Sequence, residues 1–466
     1  MKILFVASEC APIAKVGGLA DVIGALPKAL KKLGADVSVL IPFYESITLK
    51  REDLKLVLEE RKIQFNGGLE DFNLWQTFIP KSKVPLLLVE NKKYFQGNVY
   101  VEADASAGGS EEEAKRFLFF SATTAEIAKI LKFDILHCHD WHTAIIPFLL
   151  KKEGTKIKTL LTIHNLQYQG IYSFSVFNRL LNTEFREDVN CLKEGILNAD
   201  FINTVSPNYA KEILTPEYGY GLEKFLGQRK NNLAGILNGL DTEEFNPKTD
   251  KNLETNYSLE DIEKKEKNKI YLQKKYFKEA DLNIPVLGIV SRLADQKGID
   301  LIKEIFPDLM KENIQFILLG TGIKEYEIFF EKKKKEFPQK FWAKIGFDDN
   351  LARKIYAGAD IFLMPSLFEP CGLGQLISMR YGTVPVVRRT GGLKDTVLPA
   401  TLNGNRTGFV FEKYSVKELI KTIRKSLTFY KNKKIWRKIQ INGMKQDFSW
   451  EKSAKKYLSI YKKLKK

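Results

Sequence analysis

Histidine and cysteine are both scarce in this chain of 466 residues, which contains four of each. The cysteines are far apart in the sequence and form no CxxC pair; they are Cys10, Cys138, Cys191 and Cys371. This spacing argues against a disulfide framework and predicts free thiols in a reducing compartment.

Long apolar runs are also absent. No stretch approaches the roughly 20 apolar residues that a membrane helix needs, so no membrane partner is expected. The apolar run at residues 2–7 is too short for a signal peptide and predicts a buried first strand. Together with the free thiols, this predicts a cytoplasmic location.

Basic residues outnumber acidic ones, 74 to 57, for a net charge of +17. The excess lysines form short runs at residues 332–335, 431–434 and 462–466, in predicted helices or the tail. Nucleic-acid binders instead cluster their basic residues with interleaved aromatics. The runs therefore indicate solvated faces or a general attraction for small phosphate-bearing molecules, and no nucleic-acid partner is expected.

The chain is too long for one hydrophobic core, and its apolar runs alternate with helical segments in two series. This pattern predicts an α/β protein with two Rossmann-like, doubly wound domains facing each other across a deep cleft. We place the domains at residues 1–245 and 246–448, with a C-terminal helix at 449–466. Periodicity leaves open which domain that helix packs on, a return to the first being one option.

All four histidines lie in one short stretch, at His137, His139, His142 and His164. If one strand runs through His137 and His139, their side chains share a face. His139 then falls at the carboxyl end of the strand, where open α/β sheets bind ligands. A neutral imidazole can donate to a sugar hydroxyl, and His164 with Asn165 would add polar groups at the same edge.

Two other interpretations of the histidines stay open at this stage. Each ring could be a satisfied structural histidine. A metal site is the second alternative, because His-x-His with a later histidine is a known ligand spacing. No carboxylate-rich segment or cysteine pair nearby completes a coordination shell, so we expect no metal.

A glycine-rich turn follows the first predicted strand, in the sequence KVGGLADV at residues 15–22. Gly17 and Gly18 let backbone N–H groups approach a ligand, and the following helix N-terminus favours negative charge. Lys15 adds a cation. The alternative is an ordinary βα turn with an exposed lysine.

Two further turns carry charge in the second predicted domain. Arg292 and Lys297, with Gly298 opening a helix, form a clamp suited to a diphosphate, or else a pair of surface salt bridges. Glu369 follows another predicted strand, just before the glycines Gly372 and Gly374, whose amides suit a phosphate. A structural turn acid is the alternative for Glu369. The role of the basic turn at residues 388–392 is left open.

Seven segments together resemble the bacterial glycogen/starch synthases, in the order and spacing of that family and over nearly the whole chain. They are residues 15–22, 139–142, 162–170, 235–242, 291–300, 368–373 and 388–397. The resemblance implies a GT-B fold and a retaining glucosyltransferase that uses no metal or other cofactor. It implies ADP-glucose, or UDP-glucose in some members, as donor and the non-reducing end of an α-1,4-glucan as acceptor.

The resemblance also implies residue roles. Catalytic roles fall to His139 at the glucose, to Arg292 and Lys297 at the leaving diphosphate, and to Glu369 near the anomeric carbon. Donor-binding roles fall to Lys15, Gly17, Gly18, His164, Asn165, Asn238, Cys371, Gly372, Leu373 and Gly374. Departures from the family pattern concern the acceptor side, where Glu112 replaces an aspartate and residues 103–110 are rich in small side chains.

Three alternatives remain open on the sequence. One is a related transferase with another donor or acceptor, such as a sucrose- or trehalose-forming enzyme. A second is a metal-dependent hydrolase that uses the histidines. A third is a non-catalytic basic protein that binds nucleic acid, which would show salt-sensitive binding to duplex.

Overall fold

The computed structural model describes residues 1–101 and 109–465. Its first unit comprises Met1–Gly239 and the C-terminal residues from Trp450, and its second comprises Leu240–Ser449. The sequence placed the boundary after residue 245. Residues 240–245 belong to the second unit because Leu240 N donates to Phe448 O at 2.7 Å and the Phe245 ring lies 3.9 Å beneath the Arg353 guanidinium.

The first unit is built on a nine-stranded sheet. The strands of this unit are β1 Lys2–Val6, β2 Asp36–Pro42, β3 Lys55–Phe65, β4 Gly68–Phe78, β5 Pro85–Glu90, β6 Ile135–His139, β7 Lys158–Ile163, β8 Ile171–Tyr172, β9 Val189–Asn190, β10 Phe201–Thr204 and β11 Leu233–Gly235. Strands β8 and β9 form a separate two-stranded ribbon, and the others form the large sheet. The order across the large sheet is β11-β10-β7-β6-β1-β2-β5-β4-β3. Strands β3 and β4 are antiparallel additions at one edge.

Helices join these strands in the manner of a doubly wound fold. They are α1 Gly18–Lys32, α2 Glu111–Ile130, α3 Ile146–Lys152, α4 Phe174–Leu181, α5 Cys191–Asn198, α6 Tyr209–Glu212, α7 Pro216–Gly219, α8 Glu223–Gln228 and, from the C-terminus, α17 Trp450–Lys465. Helix α17 packs against α1, and its buried face carries Ala454, Tyr457 and Tyr461. The C-terminal helix therefore lies in the first unit.

The second unit is a six-stranded sheet in which every strand pair is parallel. Its strands are β12 Val286–Val290, β13 Gln315–Gly320, β14 Phe341–Ile345, β15 Ile361–Met364, β16 Val384–Arg388 and β17 Phe409–Phe411. Its helices are α9 Lys265–Phe277, α10 Ile299–Lys311, α11 Lys324–Glu336, α12 Asp349–Gly358, α13 Gly374–Arg380, α14 Gly391–Thr396, α15 Val416–Tyr430 and α16 Lys433–Met444.

Strand order determines where each sheet can bind a ligand. The second sheet runs β14-β13-β12-β15-β16-β17, and the first contains the equivalent run β5-β2-β1-β6-β7. In both sheets, the chain adds strands first on one side of the first strand and then on the other. This change of side opens a crevice at the carboxyl ends of β1 and β6, and of β12 and β15. The loops that leave these four strands contain most of the predicted site residues.

All four cysteines are buried free thiols. Among the described residues, no helix has both the length and the apolar character needed to cross a membrane. The cytoplasmic location stays a prediction.

Candidate active site

Strand β6 runs through both His137 and His139, so their rings lie on one face of the sheet with centroids 4.1 Å apart. His139 is fully buried, and its Nδ1 lies 2.9 Å from Nε2 of His164. Its Nε2 has no hydrogen-bond partner within residues 1–101 and 109–465. Burial lowers the pKa of His139 well below its usual value, and His137 and His164 lower it further by smaller amounts. The ring is therefore neutral.

Asp140 follows β6 in a left-handed conformation, with φ of 55°. Its Oδ1 accepts the backbone N–H of His164 at 2.6 Å, while burial raises the pKa of the carboxyl to about 7. The carboxyl thereby ties the loop after β7 to the loop after β6. Asn165 uses its own Oδ1 to accept the Gln167 amide at 3.1 Å, which shapes that loop.

The geometry of the histidine cluster also bears on metal binding. Within the described part of the chain, no group of three histidine, cysteine, aspartate or glutamate side chains is arranged to hold a metal ion. His139 and His164 bond each other, and His137 bonds Tyr461 and Thr162.

The turn after β1 contains a carboxylate that the sequence analysis overlooked. Glu9 is 2% exposed, and its Oε2 accepts the backbone N–H groups of Val16 and Gly17, both at 2.7 Å. Its Oε1 accepts the hydroxyl of Tyr100 at 2.6 Å. The Gly17 amide predicted for a donor phosphate is therefore occupied by a side chain of the same loop. The sequence offers no local signal for this contact, because Glu9 lies eight residues before Gly17.

Lys15 and Gly18 border the same turn. Lys15 is exposed, and its Nζ donates to Asp21 Oδ1 at 2.6 Å. Gly18 is the first residue of α1, and a Cβ added there would meet no atom within 4 Å. Asp21, in the first turn of α1, therefore holds the predicted phosphate-binding side chain of Lys15 on the solvent side of the turn.

The remaining histidine, His142, supports a prediction about pH. It is 5% exposed among the rings of Phe117, Trp141 and Tyr100, and burial lowers its pKa to about 3. The unfolded state, with a pKa near 6.5, therefore binds the extra proton between about pH 3 and pH 6.5, and stability is lost as pH falls through that window.

We expect the His142→Phe variant to lose about 1.4 kcal/mol less unfolding free energy than the wild type when pH drops from 7.5 to 5.5. Urea unfolding of both proteins at both pH values measures this difference. The comparison cancels Asp140, whose raised pKa acts in the opposite direction in both proteins. An identical pH dependence in the two proteins would contradict a neutral, buried His142.

In the second unit, the loops after β12 and β15 bring two predicted residues into contact. Lys297 Nζ donates to Glu369 Oε2 at 2.7 Å, and Ser366 Oγ donates to the same oxygen at 3.2 Å. The lysine side chain is 20% exposed and the glutamate side chain 7%. Arg292, on the first of these loops, is exposed and donates to Gln296 Oε1 at 2.8 Å.

Three residues outside the predicted catalytic set hold this pair in place. Gly298 has φ of 73°, and a Cβ there would lie 2.3 Å from Pro365 O. Gly391 has φ of 43°, and a Cβ there would lie 2.0 Å from Glu369 O. Arg388 is buried, and its guanidinium donates to the carbonyls of Ser366 and Leu367. The basic turn at residues 388–392 thus supports the glutamate loop from behind.

The predicted phosphate turn, Cys371 to Gly374, leads directly into α13. Gln375 Nε2 donates to the carbonyls of Cys371 and Gly372, both at 3.0 Å, and Gly372 has φ of 74°. Leu373 is the N-cap residue and Gly374 the first helical residue. The Gln375 side chain therefore holds the backbone carbonyls of Cys371 and Gly372 and fixes the shape of the turn.

Asn238 lies in the first unit, just beyond β11. It is 7% exposed, and its backbone N–H donates to Val205 O at 3.3 Å. Its side-chain oxygen Oδ1 is buried without a hydrogen-bond partner in the described ranges. The predicted acceptor-side segment is only partly visible: Glu112 is exposed on α2, and residues 103–108 lie outside the described residues.

Comparison with known proteins identifies the family. A family profile described as the starch synthase catalytic domain matches residues 2–228, and one described as glycosyl transferases group 1 matches residues 273–442. A glycogen synthase of Thermosipho melanesiensis is 46% identical, with 99% of both chains covered. The chain belongs to the glycogen and starch synthase family. It is a glucosyltransferase, as the sequence predicted.

Other members and solved structures extend this assignment. A glycogen synthase of Anoxybacillus flavithermus is 41% identical over 100% of this chain and 98% of its own. The catalytic domain of starch synthase IV from Arabidopsis thaliana, bound to ADP and acarbose, is 31% identical with a TM-score of 0.90, covering 100% of this chain and 99% of that one. The GT-B fold predicted from the sequence is confirmed.

A sucrose-phosphate synthase from Thermosynechococcus elongatus shares this fold. It is 17% identical with a TM-score of 0.64, covering 99% of this chain and 98% of that one. At that identity the likeness concerns the fold alone.

Proposed function

We propose that this glycogen/starch synthase transfers glucose from ADP-glucose to the non-reducing end of an α-1,4-glucan with retention of configuration. The observation that carries the proposal is the Lys297–Glu369 pair at the carboxyl ends of β12 and β15, where a doubly wound sheet binds its ligand. The related starch synthase IV structure, with ADP and acarbose bound, supports a sugar nucleotide and a glucan as the two substrates.

The cations act on the leaving group. Cleavage of the bond between the anomeric carbon and the phosphate oxygen leaves positive charge on the sugar and negative charge on the diphosphate. Lys297 and Arg292 bind that diphosphate, and each well-placed donor stabilises the transition state by about 3–4 kcal/mol. The backbone amides around Gly372 and Gly374 contribute further contacts to the phosphates.

Glu369 acts on the sugar. Its Oε2 is already bonded by Lys297 and Ser366, which reduces its power as a nucleophile. We therefore favour same-face attack, in which the acceptor hydroxyl approaches beside the departing phosphate and passes its proton to a phosphate oxygen. Glu369 then orients the glucose and stabilises the positive anomeric carbon.

The first unit binds the glucose. The neutral ring of His139, tied to His164 through Nδ1, offers Nε2 to a sugar hydroxyl, and Asn238 Oδ1 is a buried acceptor without a partner among the described residues. Fixed cations of the protein stabilise the leaving diphosphate, so the reaction needs neither a metal nor an organic cofactor. Activity that survives chelation by EDTA is the expected result.

A donor comparison tests the proposal. With glycogen as primer, we expect transfer from ADP-glucose to exceed transfer from UDP-glucose, and transfer to fall sharply when no glucan primer is added. The new linkages should be cut by an enzyme specific for α-1,4 bonds, as retention requires. Efficient transfer to a monosaccharide acceptor such as fructose 6-phosphate in place of glucan would contradict the proposal.

A further inference from the structure

Helix α17 brings two tyrosine hydroxyls to the central sheet of the first unit. Tyr457 and Tyr461 are fully buried. The Tyr461 hydroxyl lies 2.8 Å from Nδ1 of His137 on β6, and the Tyr457 hydroxyl accepts from Nδ2 of Asn203 on β10 at 3.0 Å. Thr162, on the intervening strand β7, bonds both His137 and Asn203, so the five side chains form one continuous chain of buried hydrogen bonds.

The direction of this chain follows from the Asn203 amide. The backbone carbonyl of Thr204 lies 3.4 Å from Asn203 Nδ2, and a carbonyl can only accept a hydrogen bond. The NH₂ group therefore faces that carbonyl and Tyr457, and Oδ1 faces Thr162. Thr162 Oγ1 donates its proton to Asn203 Oδ1 at 2.5 Å.

The next link determines the state of His137. Thr162 has a single hydroxyl proton, which it has given to Asn203, so at the 2.5 Å contact with His137 its oxygen must accept from Nε2–H. Burial lowers the pKa of His137 well below its usual value, which leaves one N–H on the ring. Nδ1 is then bare and accepts the Tyr461 hydroxyl proton.

The His137 ring supports the face of His139. Both ring nitrogens of His137 are held, so a half-turn of the ring would break two buried hydrogen bonds. His139 packs against this ring at 4.1 Å and against Phe5 at 5.5 Å between centroids. We propose that Tyr461 is a positioning residue, which holds the orientation of His137 by donating to Nδ1 of the tautomer that Thr162 and Asn203 set, and thereby orients His139.

The tautomer can be measured directly in the wild-type enzyme. All four histidines belong to this region, so histidine labelled with ¹⁵N gives four ring spin systems, and long-range ¹H–¹⁵N spectra distinguish the tautomers. We expect one ring, lost in a His137→Gln variant, to be neutral with the proton on Nε2 and a hydrogen-bonded Nδ1. A proton on Nδ1 would reverse the chain and overturn the inference without any tyrosine variant.

Activity tests the positioning role, which rests on the proposed function. We expect Tyr461→Phe to leave the proton on Nε2 but to shift the Nδ1 resonance of His137 to that of a nitrogen with no donor, and to lower kcat about tenfold, with the KM for the donor changed less than twofold. An altered His137 spectrum with unchanged kcat would refute the positioning role.

Tyr172→Phe is the matched control. Its hydroxyl is buried in the same unit without a partner among the described residues, so its removal should leave kcat and the His137 spectrum unchanged. An equal loss of kcat in this control would show a general packing effect and overturn the inference. Absence of glucosyl transfer by the wild type would refute the proposed function instead, while the wild-type spectra would still report the tautomer.

Discussion

Replacing Lys297 by alanine should lower kcat/KM for the sugar nucleotide by about 10² to 10³, because one well-placed donor to the leaving group is worth about 3–4 kcal/mol in the transition state. Among the described residues, Lys297 is the only positively charged partner of Glu369, and its Nζ lies 2.7 Å from Glu369 Oε2. Its removal also leaves a buried carboxylate for which Ser366 is the one remaining side-chain donor among residues 1–101 and 109–465. Initial rates with glycogen as primer measure the effect.

Lys333→Ala is the matched control for that experiment. Lys333 bonds a single carboxylate, Glu336, at 2.6 Å on α11, and both side chains are partly exposed. A surface pair of this kind contributes about 0–1 kcal/mol, so the control should keep its activity. If Lys297→Ala retained wild-type rates, the assignment of Lys297 to the diphosphate would be wrong.

Replacing Gly391 by alanine should lower the activity strongly and destabilise the second unit. The new Cβ would lie 2.0 Å from Glu369 O, and φ of 43° already disfavours any side chain. Conformational strain and overpacking together predict a loss of about 3 kcal/mol or more in unfolding free energy. Because the glutamate loop must move, kcat should fall about 10²-fold even where the protein remains folded.

The variant Gly34→Ala separates the effect of conformational strain from that of overpacking. Gly34 also has positive φ, at 83°, but a Cβ there would meet no atom within 4 Å. It should therefore show only the strain, about 1–2 kcal/mol in urea unfolding, with normal activity. If Gly391→Ala behaved like Gly34→Ala in both assays, Gly391 would have no role in supporting Glu369.

The sequence predicted the alternating architecture because buried parallel strands are continuous apolar runs, visible within a few residues. It missed β5, which pairs in parallel with β2, and it missed β3 and β4, which form the antiparallel edge of the first sheet. Strands β3 and β4 mix exposed and buried positions instead of forming continuous apolar runs. It also missed Glu9, since nothing local shows that this carboxylate occupies the amides of Val16 and Gly17.

By itself the sequence determined the fold class, through its local periodicity, and the family, through the motifs that it shares with the glycogen and starch synthases. Only the tertiary structure decided the partners: Lys297 with Glu369, and His137 with Tyr461, residues 72 and 324 positions apart. The reason is that both contacts depend on tertiary packing: strand order places β12 beside β15, which brings Lys297 to Glu369, and α17 packs in the first unit, which brings Tyr461 to His137.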